Sequence, residues 1–315
     1  MELIFLGTGA GMPSGRRNVS SVALRFTDRK SAFWMVDCGE GTQHQLMRSP
    51  LKLSKLEKVF ITHLHGDHLY GLPGMLTTRS NQGVTSQLDI YGPKGLKAFL
   101  DTVFRLSGAH LGFPWRVTEI DRDYPPEGTP LFEDDMHRVF CARLNHRLEC
   151  YGYRIEEKDK PGRLDERKLR ELNVPPGPLY GRLKRGETVV LEDGRELCGK
   201  DFVGEPIRGR TVTVLGDTRP CANAERLARH ADVLVHEATF TGDMRDAARE
   251  YGHSTSVSAA ETAAKAGCRT LILTHISSRY QEADEARLLG EARAIFPDAH
   301  MAEDFRIFPV ERASC

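Results

Sequence analysis

Thr62-His63-Leu64-His65-Gly66-Asp67-His68 follows directly on the apolar run Val59-Phe60-Ile61. A short β-branched and aromatic run of this kind is a buried strand. Four candidate metal ligands, His63, His65, Asp67 and His68, are therefore delivered at a strand end. In an extended segment, residues two apart point the same way, so His63 and His65 can grip one ion. Asp67 and His68 lie past Gly66, where the chain can turn, and can face a second ion. Imidazole and carboxylate donors suit Zn²⁺ best, with Mn²⁺ or Fe as alternatives. A lone histidine is ordinarily a core or surface residue. Three of them with an aspartate at this spacing point to metal chemistry.

Further ligands have to come from elsewhere in the chain, and other strand ends offer them. His146 follows an expected strand at 138–144, Asp217 one at 211–215, and His275 one at 269–273. The C-terminal ends of apolar strands are where α/β proteins gather their sites. A carboxylate such as Asp217 can bridge two cations and hold them about 3.5–4 Å apart. His236 and Glu237 follow a strand at 232–235, and His253-Ser254-Thr255 precedes a helix at 256–266. Ser254 or Thr255 has a sufficient reason as helix N-cap; His253 has none. A histidine held by a glutamate makes a general acid, because the carboxylate favours imidazolium. His236 reads equally well as a buried, hydrogen-bonded histidine.

The remaining pattern mixes β-rich and βα-alternating segments. Strands are expected at 2–6, 21–26, 32–36, 88–91, 115–120 and 151–155, and helices at 40–48, 69–80, 93–106, 223–230 and 284–295. Such a pattern gives α/β layers with helices covering sheet. No internal repeat of solenoid period is present. Residues 156–210 depart from the pattern. They are polar, broken by glycine and proline, and centred on Pro175-Pro176-Gly177-Pro178. Eight Lys/Arg stand against three Asp/Glu between Lys160 and Arg185. This stretch is expected to cover little core and to form either a disordered insertion or a projecting arm.

The composition narrows the function classes. In 315 residues, 40% are hydrophobic and 28% charged, so a fibrous, disordered or small disulfide-stapled protein is excluded. Lys+Arg and Asp+Glu number 44 each. Bulk positive charge therefore cannot grip nucleic acid, whereas a local basic patch can. No run approaches the roughly 18 apolar residues of a membrane span, and the first residues lack the basic region of a signal peptide. Seven scattered cysteines, the last at Cys315, contain no C-x-x-C and are expected to be reduced thiols in the cytoplasm.

Taken together, these residues resemble the metallo-β-lactamase superfamily and, within it, the tRNase Z family of tRNA 3′-processing ribonucleases. The resemblance runs over nearly the whole chain. It is carried by Phe5-Leu6-Gly7-Thr8-Gly9-Ala10, Asp37-Cys38-Gly39-Glu40, the histidine motif and Gly216-Asp217-Thr218. His236-Glu237-Ala238-Thr239-Phe240, His253-Ser254-Thr255, Thr274-His275-Ile276-Ser277-Ser278-Arg279-Tyr280 and the Pro-Pro-Gly-Pro stretch continue it. The histidine motif alone marks only the superfamily; the later motifs are specific to tRNase Z. Near residue 13 the family often reads Pro-x-Lys-x-Arg-Asn. Here Arg17 and Asn18 are kept, and Gly15 stands in place of the lysine.

The resemblance implies a single four-layer αββα sandwich over 1–315, with a flexible arm inserted at about 156–210. It implies two zinc ions per subunit, with manganese as a substitute. His63, His65 and His146 would hold one, Asp67, His68 and His275 the other, and Asp217 would bridge. Asp67 would also orient or deprotonate the attacking water, and His253, backed by Glu237, would protonate the leaving 3′ oxygen. Arg17 and Asn18 would handle the RNA 3′ end, and Lys160, Arg163, Arg182, Lys184 and Arg185 of the arm would contact precursor tRNA. The family is typically a homodimer in which one subunit's arm holds the tRNA that enters the other's site.

This chemistry suits the residues. Phosphodiester hydrolysis needs a nucleophile, charge neutralisation and a protonated leaving group. A basic arm supplies phosphate contacts that position a folded RNA by shape. The competing readings are a small-molecule phosphodiesterase, arylsulfatase or thiolesterase on the same histidine motif, and a non-catalytic RNA-binding scaffold. The arm and His253 argue against the first group, and the intact ligand set against the second.

Overall fold

The computed structural model describes residues 1–312; Cys315 lies outside them. Two seven-stranded sheets form the centre. The first runs in spatial order Ile307–Pro309, Glu2–Gly7, Ser21–Phe26, Ala32–Val36, Leu56–Phe60, Leu88–Gly92 and Trp115–Glu119. The second runs Ala299–Met301, Thr270–Thr274, Val233–Glu237, Thr211–Val214, Tyr151–Glu157, His137–Arg143 and Phe132–Glu133. Each sheet is antiparallel in one half and parallel in the other. Parallel neighbours need a crossover, and helices supply it. Helices Thr42–Arg48, Leu72–Asn81 and Leu96–Ser107 cross the first sheet, and Ala222–Ala228, Ser256–Ala266 and Glu282–Arg293 the second.

The layers follow from which faces are apolar. Leu3, Phe5, Trp34 and Phe60 of the first sheet meet Val139, Tyr153, Val212 and Ile272 of the second in one dry layer. The opposite faces carry the helices: Ile4, Met35 and Val59 pack on Leu72, Leu76 and Leu100. Leu234, Leu271 and Leu273 pack on Leu227, Ala260 and Leu288. Leu96, Leu100 and Phe104 repeat every four residues, the spacing that makes one buried helix face. The result is the four-layer αββα sandwich. Among the described residues, no helix is long and apolar enough to cross a membrane.

Four details differ from the sequence reading. The helix expected at 93–106 starts at Leu96, because Gly95 adopts a left-handed φ of 95° just before it. The helix expected at 69–80 is two, Gly66–Leu69 and Leu72–Asn81. A helix at Arg245–Tyr251 and the edge strands Ala299–Met301 and Ile307–Pro309 carried no periodic signal strong enough to find.

The fourth concerns the inserted arm, which has a core of its own. Helices Glu166–Glu171 and Pro178–Lys184 and a hairpin of Thr188–Val190 with Glu196–Cys198 surround Leu169, Val174, Leu183, Val189, Leu197 and Phe202. Six spaced apolar residues were masked by the charges between them. The hairpin half is acidic: across Lys160 to Glu205 the totals are ten Lys/Arg and nine Asp/Glu. At the root, Lys160 and Ile207 exchange backbone hydrogen bonds of 2.9 and 2.8 Å. The buried Glu157 there takes Arg210 Nε at 2.8 Å, Arg312 Nη2 at 2.9 Å and Lys160 Nζ at 3.0 Å. Burial pushes its carboxyl up, but Arg210 and Lys160 outweigh that and hold it down at about 2.

Candidate metal centre and active site

The loops at one edge of the two sheets converge on a cavity of about 300 Å³ lined by His65, Asp67, His146, Asp217, His253 and His275. His63 and His65 follow strand Leu56–Phe60, His65 in extended backbone; the chain turns helical at Gly66 and swings Asp67 and His68 round to face them. His63 Nε2 lies 2.9 Å from His65 Nδ1, which lies 3.3 Å from His146 Nε2. Asp217 Oδ2 is 3.6 Å from His63 Nε2. The second group is as tight. His68 Nε2 and His275 Nε2 are 3.2 Å apart, and Asp67 Oδ2 is 3.4 and 3.3 Å from them. Asp217 reaches this group too, with Oδ2 3.5 Å from His68 and Oδ1 3.5 Å from His275.

These separations fit metal ions. A tetrahedral zinc with bonds of about 2.0–2.1 Å spaces its ligand atoms about 3.3 Å apart. The outward nitrogens are fixed as metal-ligating histidines require. His68 Nδ1 donates to Asp37 Oδ2 at 2.7 Å, and His146 Nδ1 to the Gly252 carbonyl at 2.7 Å. His63 Nδ1 meets Thr62 Oγ1 at 3.0 Å, and His275 Nδ1 meets Thr239 Oγ1 at 2.9 Å. Burial keeps the His63 imidazole uncharged, as a ligand must be.

Asp37 was missed as part of the site, although its motif was visible. Its carboxylate also takes Thr62 N at 2.8 Å and Thr62 Oγ1 at 2.9 Å. It thus locks the strand end to His68. The signal was present: Asp37 follows an apolar strand, as the ligands do. Two residues on, a Cβ at Gly39 would sit 2.2 Å from the Asp67 carbonyl oxygen, so only glycine allows this approach.

Glu237 is brought to His253, not used by the adjacent His236. His253 Nδ1 lies 3.0 Å from Glu237 Oε1. Glu237 is buried and accepts from Thr218 N at 2.8 Å and Thr239 Oγ1 at 2.6 Å. Burial opposes charge on His253, but the Glu237 carboxylate prevails and raises it to about 9. His236 is buried, with Nδ1 donating to the Glu237 carbonyl at 2.8 Å, away from the cavity.

The expected RNA-binding residues are spread apart. Arg17 is 6% exposed. Its Nη1 donates to Thr8 Oγ1 and the Ala302 carbonyl, both at 2.7 Å, and Nε and Nη2 hold Glu285 at 3.0 and 2.9 Å. Asn18 N donates to Asp304 Oδ2 at 2.7 Å, and its side chain to the Glu40 carbonyl. The loop so fastened offers Gly11 N–H to Asp67 Oδ2 at 2.8 Å. Arg17 is therefore occupied in the protein, and Arg16 is the solvent-facing cation of this loop. On the arm, Arg182 and Arg185 share Glu187, and Lys160 pairs with Asp28 and Glu157 at the root. Arg163 and Lys184 are exposed and have no ion-pair partner among the described residues.

A ribonuclease Z of Bacillus licheniformis is 52% identical over 99% of this chain and all of its own length. The chain belongs to the ribonuclease Z family. The human short-form tRNase Z structure superposes with a TM-score of 0.70 at 32% identity, covering 99% of this chain and all of that one. A Bacillus subtilis metallo-β-lactamase fold protein, at 20% identity, TM-score 0.66 and 98% coverage of both chains, shares the fold. A family profile described as anti-Pycsar protein Apyc1 matches residues 1–108 only. Membership of the ribonuclease Z family makes the chain a hydrolase of the endoribonuclease class and implies a metal cofactor.

Proposed function

We propose that the chain cuts the phosphodiester joining a tRNA to its 3′ trailer, leaving a 3′-hydroxyl on the tRNA and a 5′-phosphate on the trailer. The observation that carries this reading is the convergence, in a chain of this family, of seven donor side chains beside a His253–Glu237 pair. His63, His65 and His146 would hold one zinc ion, Asp67, His68 and His275 a second, and Asp217 would bridge them. When bound, two such ions make water acidic and neutralise the phosphoryl oxygens.

The chain's own residues do the rest. Asp67, its Oδ2 held by Gly11 N–H, orients or deprotonates the attacking water. His253 gives its proton to the departing 3′ oxygen, and Glu237 keeps it charged until then. The 2′-hydroxyl takes no part, which is why the tRNA keeps a plain 3′ end. The arm holds the tRNA body through phosphate contacts, Arg163 and Lys184 first, since their charges are uncompensated. The sandwich with its arm acts as a single domain. We further propose a homodimer in the cytoplasm, each arm serving the partner's site.

Incubating the purified protein with a 3′-extended tRNA precursor, and mapping the product end, tests this. Cleavage at the tRNA boundary that a chelator abolishes is the expected result. A 2′,3′-cyclic phosphate end would refute the mechanism. Asp67→Ala should lower turnover at least 10³-fold, in the range of lost catalytic machinery; near-normal turnover with metal retained would remove its role.

A further inference from the structure

We propose that Arg147 and Arg279 bind the two RNA phosphates that neighbour the scissile one. This rests on the reading of the chain as a nuclease for tRNA precursors. Both line the same cavity as the metal donors. Arg147 directly follows His146 of one donor group, and Arg279 lies four residues after His275 of the other. Each guanidinium thus adjoins a different donor group along the chain.

What marks them out is how they are held. Neither has a carboxylate partner among the described residues, although some other exposed arginines, such as Arg138, Arg143 and Arg287, do. Neutral groups fix them instead. Arg147 Nε and Nη2 donate to the Glu250 carbonyl at 3.3 and 2.7 Å, and its guanidinium lies 5.2 Å from the Tyr251 ring centre. Arg279 Nε donates to Ser277 Oγ at 3.1 Å, and its guanidinium lies 5.0 Å from the Phe240 ring centre. Phe240 and Tyr251 stack on each other at 6.2 Å and 14°, so the four side chains form one connected wall of the cavity. Arg147 Nη1 and Arg279 Nη2 have no hydrogen-bond partner among the described residues.

A guanidinium that is oriented, uncompensated and left with a free N–H edge is built to receive an anion. Oriented stacking on rings also lowers the entropy lost when a phosphate docks. In a chain of zero net charge, two such groups beside the reaction centre place positive charge where a polyanion has to be threaded.

The test pairs side-chain and backbone-charge removal. Arg147→Ala, Arg279→Ala and the two Lys variants are assayed on a 3′-extended tRNA precursor. The same RNA is then used with a neutral methylphosphonate replacing each phosphate next to the cut. Each Ala variant is expected to lower kcat/KM on the native precursor about 10–100-fold and to flatten its log–log salt slope by about 1. Lys variants should recover the salt slope. On the RNA neutralised at the matching phosphate, wild type and Ala variant should be equally slow. If the wild type cleaves the precursor but the two losses multiply, the inference fails and the functional reading stands. If the wild type leaves the precursor intact, the functional reading fails and takes the inference with it.

Discussion

His253 Nδ1 lies 3.0 Å from the buried Glu237 carboxylate, and under the proposed mechanism that pairing would set the alkaline edge of activity. The folded His253 titrates near 9 against an ordinary 6.5, so it holds its proton through neutral pH and loses it as pH rises through about 9. The pair's contribution to stability follows the same sign, present below about 6.5 and lost above about 9. In Glu237→Gln the carboxylate is gone, and the alkaline limb of the kcat/KM profile on precursor RNA should move to lower pH. An unmoved limb would show that His253 is not the acid. Arg17 makes a different claim. Because it fastens the loop that presents Gly11 N–H to Asp67, Arg17→Ala should slow bis-p-nitrophenyl phosphate about as much as precursor RNA, by roughly tenfold, the scale of one lost neutral-to-charged hydrogen bond. Loss on RNA alone would place Arg17 on the substrate after all.

At the scale of elements, the arm separates from the sandwich at a narrow root. Its core residues form a cluster of their own, and its two strands of entry and exit pair at Lys160 and Ile207. Replacing 161–206 by a short glycine linker should therefore leave the sandwich folded. Precursor binding should weaken at least tenfold and bis-p-nitrophenyl phosphate hydrolysis should persist, since no arm residue lines the metal cavity. An equal fall in both activities would make the arm part of the site's scaffold. Glu157→Gln probes the root itself. The folded carboxyl sits near 2, below its ordinary range, so its contribution is present above that range and lost as pH falls through about 2. The variant should thus lower Tm at pH 7, and the difference should shrink as pH is lowered toward 2.

For the whole molecule, the metal centre joins the two halves. His63, His65, Asp67 and His68 hang from the first sheet, whereas His146, Asp217 and His275 hang from the second. An ion that binds only when both are in place stabilises the fold by mass action. Chelation should therefore lower Tm by several degrees as well as abolish hydrolysis, and zinc should restore both. An unchanged Tm would mean the sheets hold together without help from the site. The sequence by itself determined most of the sandwich strands, the α/β layer class and which candidate donors stand at strand ends, because apolar runs and the residues that follow them are local facts. It also determined the charge that made an arm visible. Only the tertiary structure decided that Asp37 locks His68, that Glu237 serves His253 rather than its neighbour, and that Arg17 faces inward. These depend on backbone turns that bring together residues up to 285 positions apart. The arm's small core was hidden for the same reason: six apolar side chains have no period of their own until a hairpin folds back to cover them.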